Sequence, residues 1–366
     1  MGMDVSFYRG CLLGMAVGDA LGTPVDGKRY TEICEAYGPA GLRGYDTVNG
    51  LAEISSYTQV GLFACNGLLL SIARGHLDAG KGMRGMAQAL KEWARVQHLP
   101  GAGERRYCWL GRIPQLRRRR NMDARTLDSL TRDVLGTPGK PANQGAGPGT
   151  LAAAMAVGLY FHPDRMGFQE IGYMGAQAVA LTHGEPLAFL SGAALAYITA
   201  GLVHDPECPL EEQFLQAGQI VQTQFSGLYP QAARLNMLIK EAVAMARNPE
   251  LARWKAMELL ECHTAAQVLC GAIYAVLASG GNFDEAMITA VNHSGKSAAV
   301  AAIAGGILGL AQGEEALPEF YLESLEGAEH IRELAGDMHT ACPKGWRTRL
   351  FDDEWDRKYI QGLPRE

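Results

Sequence analysis

The sequence predicts an all-α protein, a compact multi-helix body formed as a single domain over residues 1–366. Three observations lead there. Apolar residues recur at helical spacing along most of the chain, alternating β-branched runs are almost absent, and no repeat of constant period marks a solenoid. With 366 residues at 48% apolar, the chain can bury a large core, and 45 glycines and 16 prolines are too few for disorder or collagen.

The first predicted helix, 5–21, ends in Gly18-Asp19-Ala20-Leu21-Gly22-Thr23-Pro24-Val25-Asp26. Its glycines permit a tight exit and Pro24 blocks continuation, which delivers two carboxylates beside a turn. Helices are predicted next at 57–75 and 83–97. Residues 100–149 break the pattern: Arg105, Arg106, Arg112, Arg117, Arg118, Arg119, Arg120 and Arg125 precede a Gly/Pro-rich segment. That stretch reads as an irregular basic insertion or lid. Helical spacing resumes at 148–161, 170–181, 186–204, 211–227, 229–247, 263–279, 284–292, 296–312 and 327–340, with turn residues between, as at 279–282. Alanine and glycine runs at 152–156 and 298–306 let helix axes approach closely and leave several helices buried all round.

The balance of 33 basic against 39 acidic side chains, a net charge of −6, predicts no general affinity for nucleic acid or anionic membrane. Eight cysteines (Cys11, Cys34, Cys65, Cys108, Cys208, Cys262, Cys270, Cys342) lack zinc-ligand spacing and read as reduced residues of a cytoplasmic protein. No apolar run is expected to reach the roughly 18 uncharged residues of a membrane span, and no signal-peptide pattern opens the chain. Met1-Gly2 with Ser6 fits the myristoylation pattern only formally, because an amphipathic segment begins at once.

Four ordered segments resemble one family. Gly10-Cys11-Leu12-Leu13-Gly14-Met15-Ala16-Val17-Gly18-Asp19-Ala20-Leu21-Gly22 is similar to the opening signature of the ADP-ribosylglycohydrolases, the dinitrogenase-reductase-activating type of ADP-ribosylhydrolase. Ile54-Ser55-Ser56-Tyr57-Thr58-Gln59 stands where that family has isoleucine, serine or threonine, two aspartates, threonine and glutamine. Leu181-Thr182-His183-Gly184-Glu185-Pro186 resembles its Leu-Thr-His-Gly-x-Pro motif. Ala290-Val291-Asn292-His293-Ser294-Gly295-Lys296-Ser297-Ala298-Ala299 stands where it has a late Gly-Asp-x-Asp run closed by serine or threonine. The likeness spans roughly 8 to 340.

The resemblance implies an all-helical domain whose central cleft holds two magnesium ions on the ribose of an ADP-ribosyl group and cleaves its glycosidic bond. Such hard cations need oxygen ligands, chiefly carboxylates. Here Ser56 and Tyr57 replace the first aspartates, and Lys296, Ala298 and Ala299 replace the late Asp, Asp and hydroxyl residue. At about 4 Å and an effective dielectric near 20, an ammonium repels a divalent ion by roughly 8 kcal/mol. Millimolar to micromolar affinity is worth only about 4 to 8 kcal/mol. The family's magnesium-dependent hydrolysis is therefore expected to be lost, with no metal or other cofactor bound.

The candidate catalytic residues are Asp26, at the family's catalytic glutamate position, with Glu53 as a second carboxylate and Tyr57 and Lys296 as hydrogen-bond donors. Lys296 either pairs with Asp26 or a ligand oxygen, or else neutralises Asp19 or points to solvent. Tyr57 either donates to or stacks on a ligand, or fills the vacated cavity. The candidate ligand-binding residues are Asp19, Ser55, Ser56, Asn292, His293, Ser297 and the turn residues Gly145, Gly147, Gly149 and Thr150. Gly145-Ala146-Gly147-Pro148-Gly149-Thr150 resembles the family's phosphate-facing turn, with its serine and lysine gone and one amide donor removed by Pro148. Asp19 also reads as a buried acid satisfied by backbone amides, and His183 as a structural donor. Arg117–Arg120 either clamp an anion or acidic partner or form a solvated face.

Three readings of function stay open: a binder of ADP-ribose, NAD or a related ribosyl nucleotide that has lost hydrolysis; a metal-independent hydrolase or transferase at an N- or O-glycosidic bond; and a structural, crystallin-like use of the fold. The expected partner is that small molecule or an ADP-ribosylated substrate.

Overall fold

The computed structural model describes residues 3–73, 79–98, 107–344 and 353–359. In chain order its helices are α1 (Val5–Gly22), α2 (Tyr30–Tyr37), α3 (Ser56–Ala73), α4 (Ala79–His98), α5 (Ala124–Thr131), α6 (Ala153–Tyr160), α7 (Pro163–Met166), α8 (Phe168–Ala180) and α9 (Pro186–His204). There follow α10 (Leu210–Phe225), α11 (Gln231–Ala246), α12 (Arg253–Leu260), α13 (Ala265–Ala278), α14 (Phe283–Val291), α15 (Ser297–Gln312), α16 (Glu319–Glu323), α17 (Ala328–Lys344) and α18 (Asp353–Tyr359). No strand occurs among the described residues, only three isolated bridges. The fold is all-α, as the helical spacing predicts.

The antiparallel pair α1 and α15 forms the axis of the molecule. Glycines set their distance: a Cβ on Gly10, Gly14 or Gly18 would run into the backbone carbonyl of Gly309, Gly305 or Ala301 respectively. The axes therefore approach backbone to backbone, and nearly every side chain of both helices is buried. The C-terminal end of α1 thus lies against the N-terminal end of α15, and Asp19 ties α1 to the start of α3. The candidate site lies at this junction.

Helices α2, α5 and α12 are not legible as periodic runs, because eight residues hold barely two turns of pattern. The predicted helix at 148–161 begins only at Ala153, since Pro148 to Ala152 form tight turns with Leu151 N donating to Pro148 O (2.8 Å). The stretch read as an insertion or lid is anchored in the core. Cys108, Leu110, Leu116 and Leu130 are buried, while Arg105 and Arg106 lie outside the described residues.

One expectation fails outright. Helix α9 is 19 residues long and apolar enough to cross a membrane by length and composition. Its apolar surface is used inside the molecule instead: 83% of its most apolar window is buried, against α6, α8, α10 and α13. No disulfide occurs among the described residues, and burial pushes the Cys11, Cys108 and Cys262 thiols well above their ordinary range.

Candidate functional site

A cleft of about 450 Å³ opens where the ends of α1, α3 and α15 meet. Its walls are the 53–57 segment, the 120–125 segment, the Gly147–Gly149 turn, His263, and Lys296 with Ala298. It draws three cations (Arg120, Arg125, Lys296) and three carboxylates (Asp26, Glu53, Asp123) from segments far apart in the chain.

Asp19 lies beneath this cleft. It is fully buried and accepts four hydrogen bonds, from Ser55 N (2.8 Å), Ser55 Oγ (2.5 Å), Thr58 N (3.1 Å) and Thr58 Oγ1 (2.5 Å). It thereby caps α3 from another helix and satisfies amides that a helix start leaves unpaired. Burial raises its pKa to about 6 despite those four donors. Three of these donors meet Oδ2 and one meets Oδ1, so the carboxylate is spent chiefly on holding the start of α3, and Asp19 does not line the cleft. Ser55 spends its hydroxyl on the same bond, and Ser56 Oγ donates to Asn121 O (2.9 Å); both still line the cleft.

Asp26 sits in the wall, with Lys296 Nζ 3.8 Å from Oδ2 and Ala298 N donating to Oδ1 (3.2 Å). It caps α15 much as Asp19 caps α3. Burial raises the Asp26 pKa, and the Lys296 ammonium opposes that rise. The pairing of Lys296 with Asp26, one of the alternatives in the sequence, is the one the fold adopts. Tyr57 faces the same space, and burial together with Asp26, Asp19 and Asp123 holds its phenol well above its ordinary range. It is a protonated hydrogen-bond donor at neutral pH.

Glu53 lines the cleft but is not free. Arg118 and Arg120 both bind its carboxylate, Arg120 Nη1 at 2.9 Å, and Arg120 also binds Glu326, which is 1% exposed. Arg118 and Arg120 therefore clamp acidic partners within the chain. Four charges fasten the 118–120 segment to the turn at 326, so the Glu53 carboxylate is engaged by arginines within the chain.

Several ligand-binding expectations fall elsewhere. Asn292 is buried and clamps the chain at Leu42, with Oδ1 accepting from Leu42 N (2.7 Å) and Nδ2 donating to Leu42 O (2.8 Å) and Ile288 O (2.7 Å). The ring of His293 is fully buried, bridging Ala290 O and Gly295 N (both 2.9 Å), and desolvation lowers its pKa to about 4. It is neutral and lies outside the cleft lining, as does Ser297. These residues shape the turn that presents Lys296.

Gly147 and Gly149 line the cleft and their amides make no hydrogen bond to another described residue. Gly145 and Thr150 do not line it: Gly145 N donates to Asn143 Oδ1 (2.6 Å), and Thr150 Oγ1 pairs with Thr182 Oγ1 (2.7 Å). The turn lies directly on the buried His183 ring, where a Cβ on Gly149 would meet His183 Cε1 at 2.5 Å. His183 Nε2 in turn stands 3.5 Å from Asp123 Oδ2, and the imidazole beside it holds the Asp123 carboxyl below its ordinary range. Asp123, Arg125 and His263 are cleft residues the sequence did not disclose. Asp123 precedes α5 as a helix-start signal, which by itself says nothing of a site.

The paired magnesium ions implied by the family resemblance do not fit these residues. The positions where the resemblance has ligands present the Ser55 and Ser56 hydroxyls, a phenol, an ammonium and methyl groups, Asp19 is buried beneath the cleft holding α3, and Asp26 is paired with Lys296. Among the described residues no three His, Cys, Asp or Glu side chains converge as a metal site.

A family model described as ADP-ribosylglycohydrolase matches residues 4–348. An uncharacterized protein of Archaeoglobus fulgidus is 27% identical over 338 residues, 91% of this chain and 95% of its own. A solved structure described as an ADP-ribosylglycohydrolase-related protein complex superposes with a TM-score of 0.55 at 22% identity, covering 92% of this chain and 98% of its own. At that identity the likeness concerns the fold.

Proposed function

The chain belongs to the ADP-ribosylglycohydrolase family, and from that premise we propose that its cleft binds an ADP-ribosyl or related ribosyl-nucleotide ligand without the family's metal pair, magnesium-dependent hydrolysis being lost. The observation that carries this reading is the Lys296–Asp26 pair. An ammonium 3.8 Å from Asp26 supplies positive charge at a position where the family resemblance implies an acidic metal ligand. A point charge with three donors can hold ligand hydroxyl or phosphate oxygens.

The rest of the wall suits the same ligand. The Gly147 and Gly149 amides and Arg125 offer donors to a diphosphate, and the Tyr57 hydroxyl offers one to a ribose oxygen. Against the structural, crystallin-like use stands the open cleft, which its own side chains do not fill. Titration calorimetry with ADP-ribose and with NAD, in chelator and then in millimolar magnesium, tests the reading. Saturable binding of equal affinity in both buffers is expected. Binding that requires magnesium, or no binding in either buffer, refutes it.

A further inference from the structure

We propose that the pocket between α7, α8, α9 and α10 is a second ligand site, built for a small organic cation: a primary amine on a short apolar body. The pocket holds about 450 Å³, and none of its lining residues lines the cleft described above. Two of its lining residues carry a buried polar atom that no described residue satisfies. Gln213 is 5% exposed, and its Nε2 donates to Asp205 O (3.0 Å) and Cys208 O (3.2 Å). Those two carbonyls fix which end of the amide is oxygen, so Oε1 is a buried acceptor without a donor. His204 Nε2 is likewise buried and unpartnered. An unmet acceptor costs the loss of its hydration, and a native fold keeps one chiefly where a ligand or a water supplies the missing bond.

The surroundings select the charge and shape of the missing donor. Asp164 and Asp205 stand in the lining, which among the described residues includes no lysine or arginine. Partial burial, Glu212 and Asp205 together raise the pKa of the Cys208 thiol, and the same two carboxylates attract a cation. Desolvation and the His162 ring, its centroid 4.2 Å away, lower the His204 pKa to about 4, against the opposing pull of Asp164 and the Phe161 carbonyl. His204 is therefore neutral at pH 7, and its Nε2 can present a lone pair to an N–H. A protonated primary amine brings three donors, enough for Gln213 Oε1, His204 Nε2 and a carboxylate of the rim. Phe168, Tyr197 and Ile220 supply apolar wall for the rest of the ligand, and an aromatic face favours a cation over a neutral group. An anion would meet acceptors and carboxylates. A metal ion would find, among the described residues, no third converging His, Cys, Asp or Glu side chain.

The test is titration calorimetry of the full chain with phenethylamine and hexylamine, beside phenethyl alcohol as the neutral analogue and hydrocinnamate as the anionic one. Wild type is expected to bind at least one amine saturably below about 10 mM, and the alcohol about tenfold more weakly or worse, the loss expected when a charged donor is removed. Hydrocinnamate should not bind. In Gly201→Ala the new methyl crowds Gln213 Oε1, which an ideal Cβ would meet at 2.6 Å. Helix α9 accepts alanine readily, so the helix persists while amine affinity should fall about tenfold or more. Asp205→Asn, a change at an exposed position, should weaken binding about threefold at low salt and less at high salt. His204→Phe, which removes both ring nitrogens, should cost about tenfold. Far-UV circular dichroism checks that each variant is folded. No saturable amine binding, equal affinity for amine and alcohol, or amine affinity unchanged in the folded variants would each overturn the proposal, whatever the cleft proves to do with ADP-ribose.

Discussion

Asp19 and His293, buried within the scaffold of the cleft, titrate in opposite directions. The Asp19 pKa rises from 3.8 to about 6 on folding, so the native state binds more protons than the unfolded chain across that window. Its contribution to stability is complete below the unfolded value and is lost as pH rises through the folded one. The His293 pKa falls from 6.5 to about 4, so its contribution is present above 6.5 and is lost as pH falls toward 4. A tenfold change in proton affinity corresponds to about 1.4 kcal/mol, so each contributes roughly 3 kcal/mol and the two largely cancel between pH 4 and 6. Single substitutions should unmask them. In Asp19→Asn, denaturant unfolding at pH 4.5 and 6.5 should show stability lower at the acid value than in wild type relative to pH 6.5. In His293→Gln the same comparison should show the opposite sign.

Helix packing decides where those residues stand. In an isolated helix Gly14→Ala gains up to about 1 kcal/mol of helix propensity. In this fold the added methyl meets the Gly305 carbonyl, and the steric cost of overpacking, about 1–3 kcal/mol or more, reverses the sign. Thermal and denaturant unfolding should therefore show Gly14→Ala and Gly305→Ala less stable than wild type. A neutral or stabilising result would mean that α1 and α15 are not in backbone contact. Because these axes bring Asp26 to Lys296, the same variants should weaken nucleotide binding as well, through loss of register at the cleft.

At the scale of the whole molecule, the helix ends that the family resemblance assigns to a metal site come together, while the side chains they present are not metal ligands. Helices α1, α3 and α15 still converge, and Asp19 and Asp26 now cap helix starts. Placing carboxylates at the positions where the family resemblance has them should create a magnesium site. In the combined variant Ser56→Asp, Tyr57→Asp, Lys296→Asp and Ala298→Asp, calorimetry should detect magnesium binding, with none expected for wild type measured alongside. Reversing the charge at Lys296 alone changes the interaction with a divalent ion by roughly 16 kcal/mol before screening, at about 4 Å and a dielectric near 20. A variant that folds but binds no magnesium would show that the convergence of these helix ends has drifted along with their side chains.

Helical periodicity and the ordered motifs suffice for the all-α class and the family, and they place Lys296 and Ala298 where the resemblance implies acids, because each is written in local residue order. The partners of those residues are not local. Glu53 reads as a free carboxylate until Arg118 and Arg120 are seen to hold it across 65 and 67 residues. Asn292 and His293 look like site residues until packing turns them toward Leu42 and Ala290. Asp123 becomes a site residue only when His183, 60 positions away, stands behind it. A side chain's protonation and availability are set by what surrounds it at a few ångströms, and in a helical fold those neighbours come from anywhere in the chain.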